Sequence, residues 1–279
     1  MARFLLLSFL LVALAVRATI AASSAEDYWR SALPNSPMPS AIRDLIYPSK
    51  AAEPAGHKDR VNYIQGYGFF LEESLHPGAT MKLYFTRTIA AGASFLPRQV
   101  ADSIPFSSSM LPDILSHLSV SPSSEMASSI KKTIAECEAK PLAGQLKLCA
   151  TSLESMVDFA KYGLKSSNLR AMSTSVAKAT SQIQKYTITG LNRVKASELV
   201  ACHALAYSYP VFHCHTTTAS TYTVSLTGAD GTKVQALAAC HVEAAAGDHA
   251  AAYEELGVKP GTVPVCHFLP QDDLLWARV

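Results

Sequence analysis

The hydrophobic positions follow a helical period in the middle of the chain and a strand-like pattern towards its C-terminus. In SPSSEMASSIKKTIAECEA, which starts at Ser121, apolar residues recur every three or four positions, which predicts an amphipathic helix. The run QLKLCATSLESMVDFAKYGL, which starts at Gln145, has the same spacing. Because only the short linker KPLAG separates the two, we expect an antiparallel helical hairpin.

Residues 166–279 consist largely of short runs rich in β-branched and aromatic residues, which are typical of strands. These runs are YTITGLNRV, ELVACHALAY, VFHCHTTT, TYTVSLT, KVQALAACHVE and TVPVCHFLP. Asp230-Gly231 stands between two of them and predicts a β-hairpin. Residues 248–258 predict a short helix, and MKLYFTRTI at 81–89 predicts an earlier strand. The predicted fold class is therefore α+β, with a helical hairpin and a β-rich C-terminal half.

The first residues predict a secretory signal peptide. Arg3 is followed by a mainly apolar run from Phe4 to Val16 and then by small residues up to Ala22. We therefore expect residues 1–22 to be a cleaved signal peptide that directs the protein out of the cell or into the secretory pathway. No later apolar run is long enough to cross a bilayer, so no membrane span is expected.

Residues 23–68 form a leader rich in proline and aromatic residues. Four prolines fall between residues 34 and 48, and this density disfavours the interior of a helix or a sheet. We expect an extended or loosely docked arm whose aromatic rings contact the surface of the following domain. That domain is expected to occupy residues 69–279.

The balanced charge of the chain argues against nucleic acids as partners. The chain has 24 Lys and Arg and 22 Asp and Glu. Removal of Arg3 and Arg17 with the signal peptide leaves 22 of each sign. Because a balanced chain without a basic block lacks the electrostatic attraction that nucleic acids require, no nucleic acid partner is expected. Nothing in the sequence specifies an oligomeric state.

All six cysteines lie beyond the predicted cleavage site, and an even number in an oxidising compartment favours disulfides. Cys137 and Cys149 fall at the same end of the predicted hairpin, so we expect them to pair. The other four also belong in disulfides, but six cysteines allow about 15 connectivities and the sequence does not choose among them. These four are Cys202, Cys214, Cys240 and Cys266.

Each of those four cysteines is followed directly by a histidine. Neighbouring side chains on a strand point to opposite faces, so the histidines would share one face and the cysteines the other. Several converging imidazoles would suit a transition metal, with His213 as a fifth ligand or a supporting donor. Buried hydrogen-bonding histidines beside structural disulfides would explain the pattern equally well. If the histidines converge, we expect the 137–149 hairpin to stand apart from them.

The spacing of these dipeptides resembles that of a known family. The series CH-x10-CH-x24-CH-x24-CH-x8-W, which ends at Trp276, is similar to that of the plant BURP domain, as are GYGFFLEESLHPGATMKLYF and the leader YWRSALPNSPMPSAI. The resemblance implies a secreted protein of the apoplast, cell wall or secretory pathway, with a role in seed or reproductive development or in stress response. It implies that copper is held by the motif histidines His203, His215, His241 and His267.

The same resemblance implies partners and an alternative activity. The expected partner is a cell-wall polymer or a peptide substrate. Some family members are copper-dependent peptide cyclases that crosslink Tyr or Trp side chains of a core peptide, which can lie in the same chain. The sequence contains no evident core peptide, so the non-enzymatic wall or developmental role ranks first and the cyclase second, and the catalytic residues are not specified.

Overall fold

A computed structural model describes residues 24–48, 68–178, 183–242 and 250–279. The predicted signal peptide and the end of the leader lie outside these ranges. None of the helices in the described ranges is long and apolar enough to cross a membrane. The architecture is mixed α+β, as predicted, with two antiparallel sheets and helices that cover part of their surface.

The first sheet, sheet A, has the strand order β1-β11-β10-β9-β6-β2, and β5 also pairs with β10. Its strands are β1 (Phe69–Leu71), β2 (Thr80–Leu83), β5 (Ser175–Val176), β6 (Gln184–Arg193), β9 (Ser220–Gly228), β10 (Lys233–His241) and β11 (Val265–Phe268). The second sheet, sheet B, has the order β3-β8-β7-β12-β4. Its strands are β3 (Lys147–Ala150), β4 (Leu169–Met172), β7 (Leu199–Leu205), β8 (Val211–Thr217) and β12 (Leu274–Arg278).

Seven α-helices are described in these ranges. They are α1 (Ala25–Ala32), α2 (Ser40–Ile46), α3 (Arg98–Ala101), α4 (Leu111–His117), α5 (Glu125–Glu138), α6 (Leu153–Leu164) and α7 (Ala250–Glu255). The predicted strands of the C-terminal half are all present, and the turn at Asp230-Gly231 joins β9 to β10. Gly231 has a φ of 82°, a conformation that its lack of a side chain permits.

The two sheets pack face to face around an interlayer core of small and branched side chains. This core is the cluster Leu199, Ala201, Ala219, Leu237, Ala239, Leu269, Leu275 and Ala277, drawn from both sheets. The outer face of sheet B is covered by α1, α2 and α6. The outer face of sheet A carries a separate buried cluster that includes Phe85, Tyr186 and Phe268. The chain therefore contains several apolar layers, and the interlayer separates the two sheets.

The predicted helical hairpin is wrong. Strand β3 lies between the two helices and pairs with β8, so that Cys149 lies opposite His213. Helix α6 begins only at Leu153, because Ser152 and Ser155 form a reciprocal capping box there. Helix α5 packs on a cluster that contains Tyr207 and Tyr209, whereas α6 packs under sheet B. Backbone pairing with the edge of sheet B therefore outweighs the helical spacing of residues 146–150.

The extended conformation predicted for the leader is wrong over its described part, residues 24–48, whereas the expected contact of its aromatic rings with the domain is confirmed. Helices α1 and α2 dock under sheet B and bury Trp29 and Ile42 to 3% and 0% exposure. The Trp29 ring lies 5.9 Å from that of Trp276, centroid to centroid, and its Nε1–H donates to the carbonyl of Ser36. The prolines lie between and beside the helices, with Pro39 at the N-terminal cap of α2. Proline therefore bounds these short helices without excluding them.

One strand is shorter than predicted, and other strands are absent from the prediction. The strand expected at 81–89 ends at Leu83, and the chain continues without regular structure to residue 97. Strands β4, β5 and β12 are not among the predicted strands, and of these β12 carries Trp276 and lies between β7 and β4 in sheet B. Its residues from Leu274 to Ala277 are all buried, so they lack the alternation that marks a half-exposed strand.

Candidate functional site

All four Cys-His dipeptides lie on strands in two cross-strand pairs. Cys202 of β7 lies directly opposite Cys214 of β8, and a disulfide joins them. Cys240 of β10 is joined in the same way to Cys266 of β11. The third disulfide is the expected Cys137–Cys149, with a Cα separation of 5.7 Å. The two motif disulfides face the outer layers of the sandwich, so the adjacent histidines face the interlayer.

His203 and His215 are brought together on the inner face of sheet B. Their Nε2 atoms lie 3.3 Å apart and their rings are nearly parallel, with an interplanar angle of 26°. A carboxylate oxygen of Asp273 lies 2.7 Å from Nδ1 of His203. The other oxygen of Asp273 accepts the backbone N–H of Ala204, which fixes the carboxylate. With Nδ1–H donated to Asp273, the lone pair of His203 Nε2 faces His215.

His215 is held from its other side by the segment between α5 and β3. The side-chain nitrogen of Gln145 lies 2.8 Å from His215 Nδ1, and the carbonyl of Thr216 lies 3.2 Å from the same atom. Burial, together with the neighbouring imidazoles of His203, His213 and His241, lowers the pKa of His215 to about 3. His215 therefore stays neutral above about pH 4, and neutral imidazole is the form that binds metals.

His241 and His267 form the matching pair on sheet A. Their rings are stacked with a centroid separation of 5.5 Å and an interplanar angle of 6°. Phe69 of β1 contacts His267 edge-on at 5.9 Å. The hydroxyl of Tyr253 donates to the backbone carbonyls of His241 and Val242, which anchors the end of β10. Because Cys240 and Cys266 belong to the outer cluster of sheet A, His241 and His267 point to the interlayer, as His203 and His215 do from sheet B.

His213 and the Cys137–Cys149 segment lie beside this cluster, so the expectation that this segment stands apart is wrong. The His213 ring lies 5.6 Å from that of His215. A carboxylate oxygen of Glu136 lies 3.3 Å from its Nδ1, and its buried Nε2 has no hydrogen-bond partner within the described ranges. The pairing of β3 with β8 causes this proximity, since it places Lys147 opposite His215.

The His203–His215 pair fits two ligands of one metal ion. Two imidazole nitrogens bound at about 2.0–2.1 Å to a tetrahedral ion lie about 3.3 Å apart. The Nε2 separation of 3.3 Å equals that value, and Asp273 occupies the supporting position that metal-binding histidines require. His241 and His267 are stacked rather than aimed at a common point. Within the described ranges, no group of three or more His, Cys, Asp or Glu side chains is arranged to hold an ion.

Three residues at this site are not predicted from the sequence. Asp273 supports His203, Gln145 contacts His215, and Glu136 contacts His213. The acidic pair Asp272-Asp273 was the available signal, because it interrupts an apolar stretch shortly after the fourth dipeptide. Gln145 and Glu136 carry no comparable signal, since their role depends on the pairing of β3 with β8.

Comparison with known proteins agrees with the motif spacing. The family model of the BURP domain matches residues 68–278. BURP domain-containing protein 6 of Oryza sativa subsp. japonica is 55% identical over 244 residues, which cover 86% of this chain and 100% of the relative. BURP domain-containing protein 2 of the same organism is 47% identical over 289 residues and 100% of both chains. BURP domain protein RD22 of Arabidopsis thaliana is 43% identical over 214 residues, 75% of this chain and 55% of that protein.

Proposed function

The chain belongs to the BURP-domain family of plant proteins, and we propose that it is a secreted member that binds copper between its two sheets. His203 and His215 are the primary ligands, and His241 and His267 complete the set from the facing sheet. The protein acts in the apoplast or cell wall, in seed or reproductive development or in the response to stress. Copper would supply redox chemistry at this position, and the chain would supply the geometry.

The arrangement of His203, His215 and Asp273 is the observation that carries this proposal. The Nε2 atoms of His203 and His215 face each other at 3.3 Å in a hydrogen bond, with a buried carboxylate behind one ring, and a copper ion would take the place of the proton shared between the two nitrogens. The low pKa of His215 adds to this argument, because its lone pair is available without the release of a proton. Imidazole nitrogen suits copper, zinc, iron and nickel, and a given site binds copper(II) most tightly among the divalent first-row metals.

The three disulfides support the proposed destination. Disulfides persist in oxidising compartments and are rare in the cytosol. Two of them are fully buried and link neighbouring strands, so they are parts of the fold rather than surface attachments. Detection of the protein in apoplastic wash fluid, with an N-terminus located downstream of residue 22, would support secretion. Retention of the intact chain inside the cell would reject it.

Copper content per chain tests the metal site. Wild-type protein loaded with copper and dialysed is expected to retain one ion, whereas His203→Ala and His215→Ala are expected to lose it. His117→Ala is the matched control, because this exposed histidine lies in α4, away from the cluster. Thiol counts and circular dichroism verify that each variant is folded and oxidised. Equal copper in all four proteins, or none in any, would reject the metal role.

Intact mass separates the proposed role from the peptide-cyclase alternative. Three disulfides remove six hydrogens from the processed chain. The non-enzymatic role predicts this mass for the copper-loaded protein, before and after incubation with oxygen and peptides from the same tissue. A further loss of two hydrogens in the chain or in a peptide, when it survives reduction of the disulfides, would favour the cyclase.

A further inference from the structure

A cleft of about 560 Å³ opens at the edge of the interlayer that is remote from the histidines. We call it the basic cleft, and it is lined by Arg170, Met172, Asn192, Arg193, Val194, Lys195 and Thr223. We propose that the basic cleft binds a carboxylated oligosaccharide.

The strand order separates the basic cleft from the histidine cluster. One wall comes from β4, the last strand of sheet B, and the other from β6 and β9 of sheet A. The histidines lie on β7, β8, β10 and β11, and the interlayer core occupies the space between them and the cleft. Leu169 and Ala171 of β4 face the helices, so Arg170 points to the opposite, inner side. The basic cleft is therefore a second site, independent of the proposed copper site.

Arg170 and Lys195 supply the positive charge of the cleft, and its lining contains no carboxylate, whereas the guanidinium of Arg193 turns to the outer face of sheet A. Arg193 donates to the hydroxyl of Ser220 at 3.0 Å. Arg170 and Lys195 are exposed, and their side chains form no hydrogen bond or ion pair within the described part of the chain. The nearby Glu198 is already paired with Arg278. Because like charges repel unless an anion lies between them, this arrangement is suited to an anionic ligand.

The walls favour a sugar acid over other anions. Arginine presents a planar fork that matches a carboxylate, and the Asn192 amide and Thr223 hydroxyl can bond to sugar hydroxyls. Met172 and Val194 provide an apolar surface for the C–H face of a sugar ring. The lining residues lie in strands or just after one, so no helix N-terminus is present to bind phosphate. The volume lies within the usual range of about 300–1,000 Å³ for ligand sites.

Calorimetric titration of the full processed protein with galacturonate oligomers tests the proposal. The wild type is expected to bind the acidic oligomer and to ignore the same oligomer when its carboxylates are methyl esters. The double variant Arg170→Gln/Lys195→Gln is expected to bind at least tenfold more weakly. Lys131→Gln/Lys132→Gln removes the same charge from the exposed face of α5 and is expected to bind like the wild type.

Several outcomes would overturn the proposal. These are absence of binding to the wild type, equal binding by both double variants, and equal binding of the ester. Displacement of the oligomer by inorganic phosphate or by a poly-glutamate peptide at the same concentration would reassign the cleft to those ligands. His203→Ala is expected to bind the oligomer normally, so failure of the copper site and failure of the basic cleft are separate results.

Discussion

Asp273 lies with one carboxylate oxygen 2.7 Å from Nδ1 of His203 and the other 3.0 Å from the backbone nitrogen of Ala204. This buried contact orients the imidazole so that Nε2 points at His215. The carboxylate comes from the segment between β11 and β12, whereas the histidine lies in β7. The position of His203 therefore depends on residues about 70 positions later in the chain.

Asp273→Asn should weaken copper binding by about 10- to 100-fold, the usual effect of losing a carboxylate behind a metal-bound histidine. The amide keeps the shape of the side chain but removes its charge, so the fold should be retained. Competition with a chelator of known affinity measures the effect. Asp113→Asn, on the surface of α4, is the control and should bind like the wild type. Unchanged affinity in Asp273→Asn would contradict the supporting role.

Asp272, the neighbour of Asp273, should make stability depend on pH. Its carboxylate is 2% exposed and accepts the backbone N–H groups of Thr88 and Ile89. Burial, together with the charge of Asp273, raises the pKa of Asp272 from 3.8 to about 6. Between pH 3.8 and about 6 the folded state therefore holds a proton that the unfolded state has released. Its contribution to the free energy of unfolding should fall by about 3 kcal/mol as pH rises through this window.

Urea denaturation of metal-free wild type and Asp272→Asn at pH 4 and pH 7 measures this effect. The asparagine cannot ionise, so the wild type should gain stability relative to the variant as the pH is lowered. A difference in unfolding free energy that is the same at both pH values would show that Asp272 does not titrate in this range.

Trp29→Ala should destabilise the protein by about 3–5 kcal/mol, the usual cost of removing a buried tryptophan side chain. Trp29 is 3% exposed and packs against Trp276 under sheet B. Tyr162→Ala in α6 is the control, because Tyr162 is 69% exposed and its loss should cost little. Chemical denaturation measures both. Equal stability of the two variants would mean that α1 is not docked on the domain in solution.

The three disulfides should differ in their resistance to reduction. Cys137 and Cys149 are partly exposed at the edge of sheet B, whereas the four motif cysteines are at most 1% exposed. Because exchange requires access of the attacking thiolate, Cys137–Cys149 should be reduced first. Graded reduction followed by alkylation and peptide mass analysis gives the order. Labelling of Cys202 or Cys240 before Cys137 and Cys149 would contradict the burial of the motif cysteines.

The sequence predicted six strands of the C-terminal half, β6 to β11, because their alternation and the turn at Asp230-Gly231 are local signals, but it missed β4, β5 and β12. It failed for β3, where helical spacing continued into a segment that pairs with β8. For the leader it anticipated that aromatic rings contact the domain, as Trp29 does, but it missed helices α1 and α2, because they are short enough to fit between the prolines. The motif histidines were identifiable from their spacing, but Asp273 and Gln145 reach the site only through tertiary structure.

Because each motif cysteine is followed directly by a histidine, the chain can accept insertions and deletions at some positions and not at others. Each disulfide fixes two strands in register on one face, and the next residue then points to the other face. A residue inserted between Cys202 and His203 would turn the imidazole towards the helices. An insertion in the turn after Gly228 would leave both faces intact. Strand geometry therefore permits no residue between the cysteine and the histidine of a dipeptide, whereas the number of residues between successive dipeptides can vary.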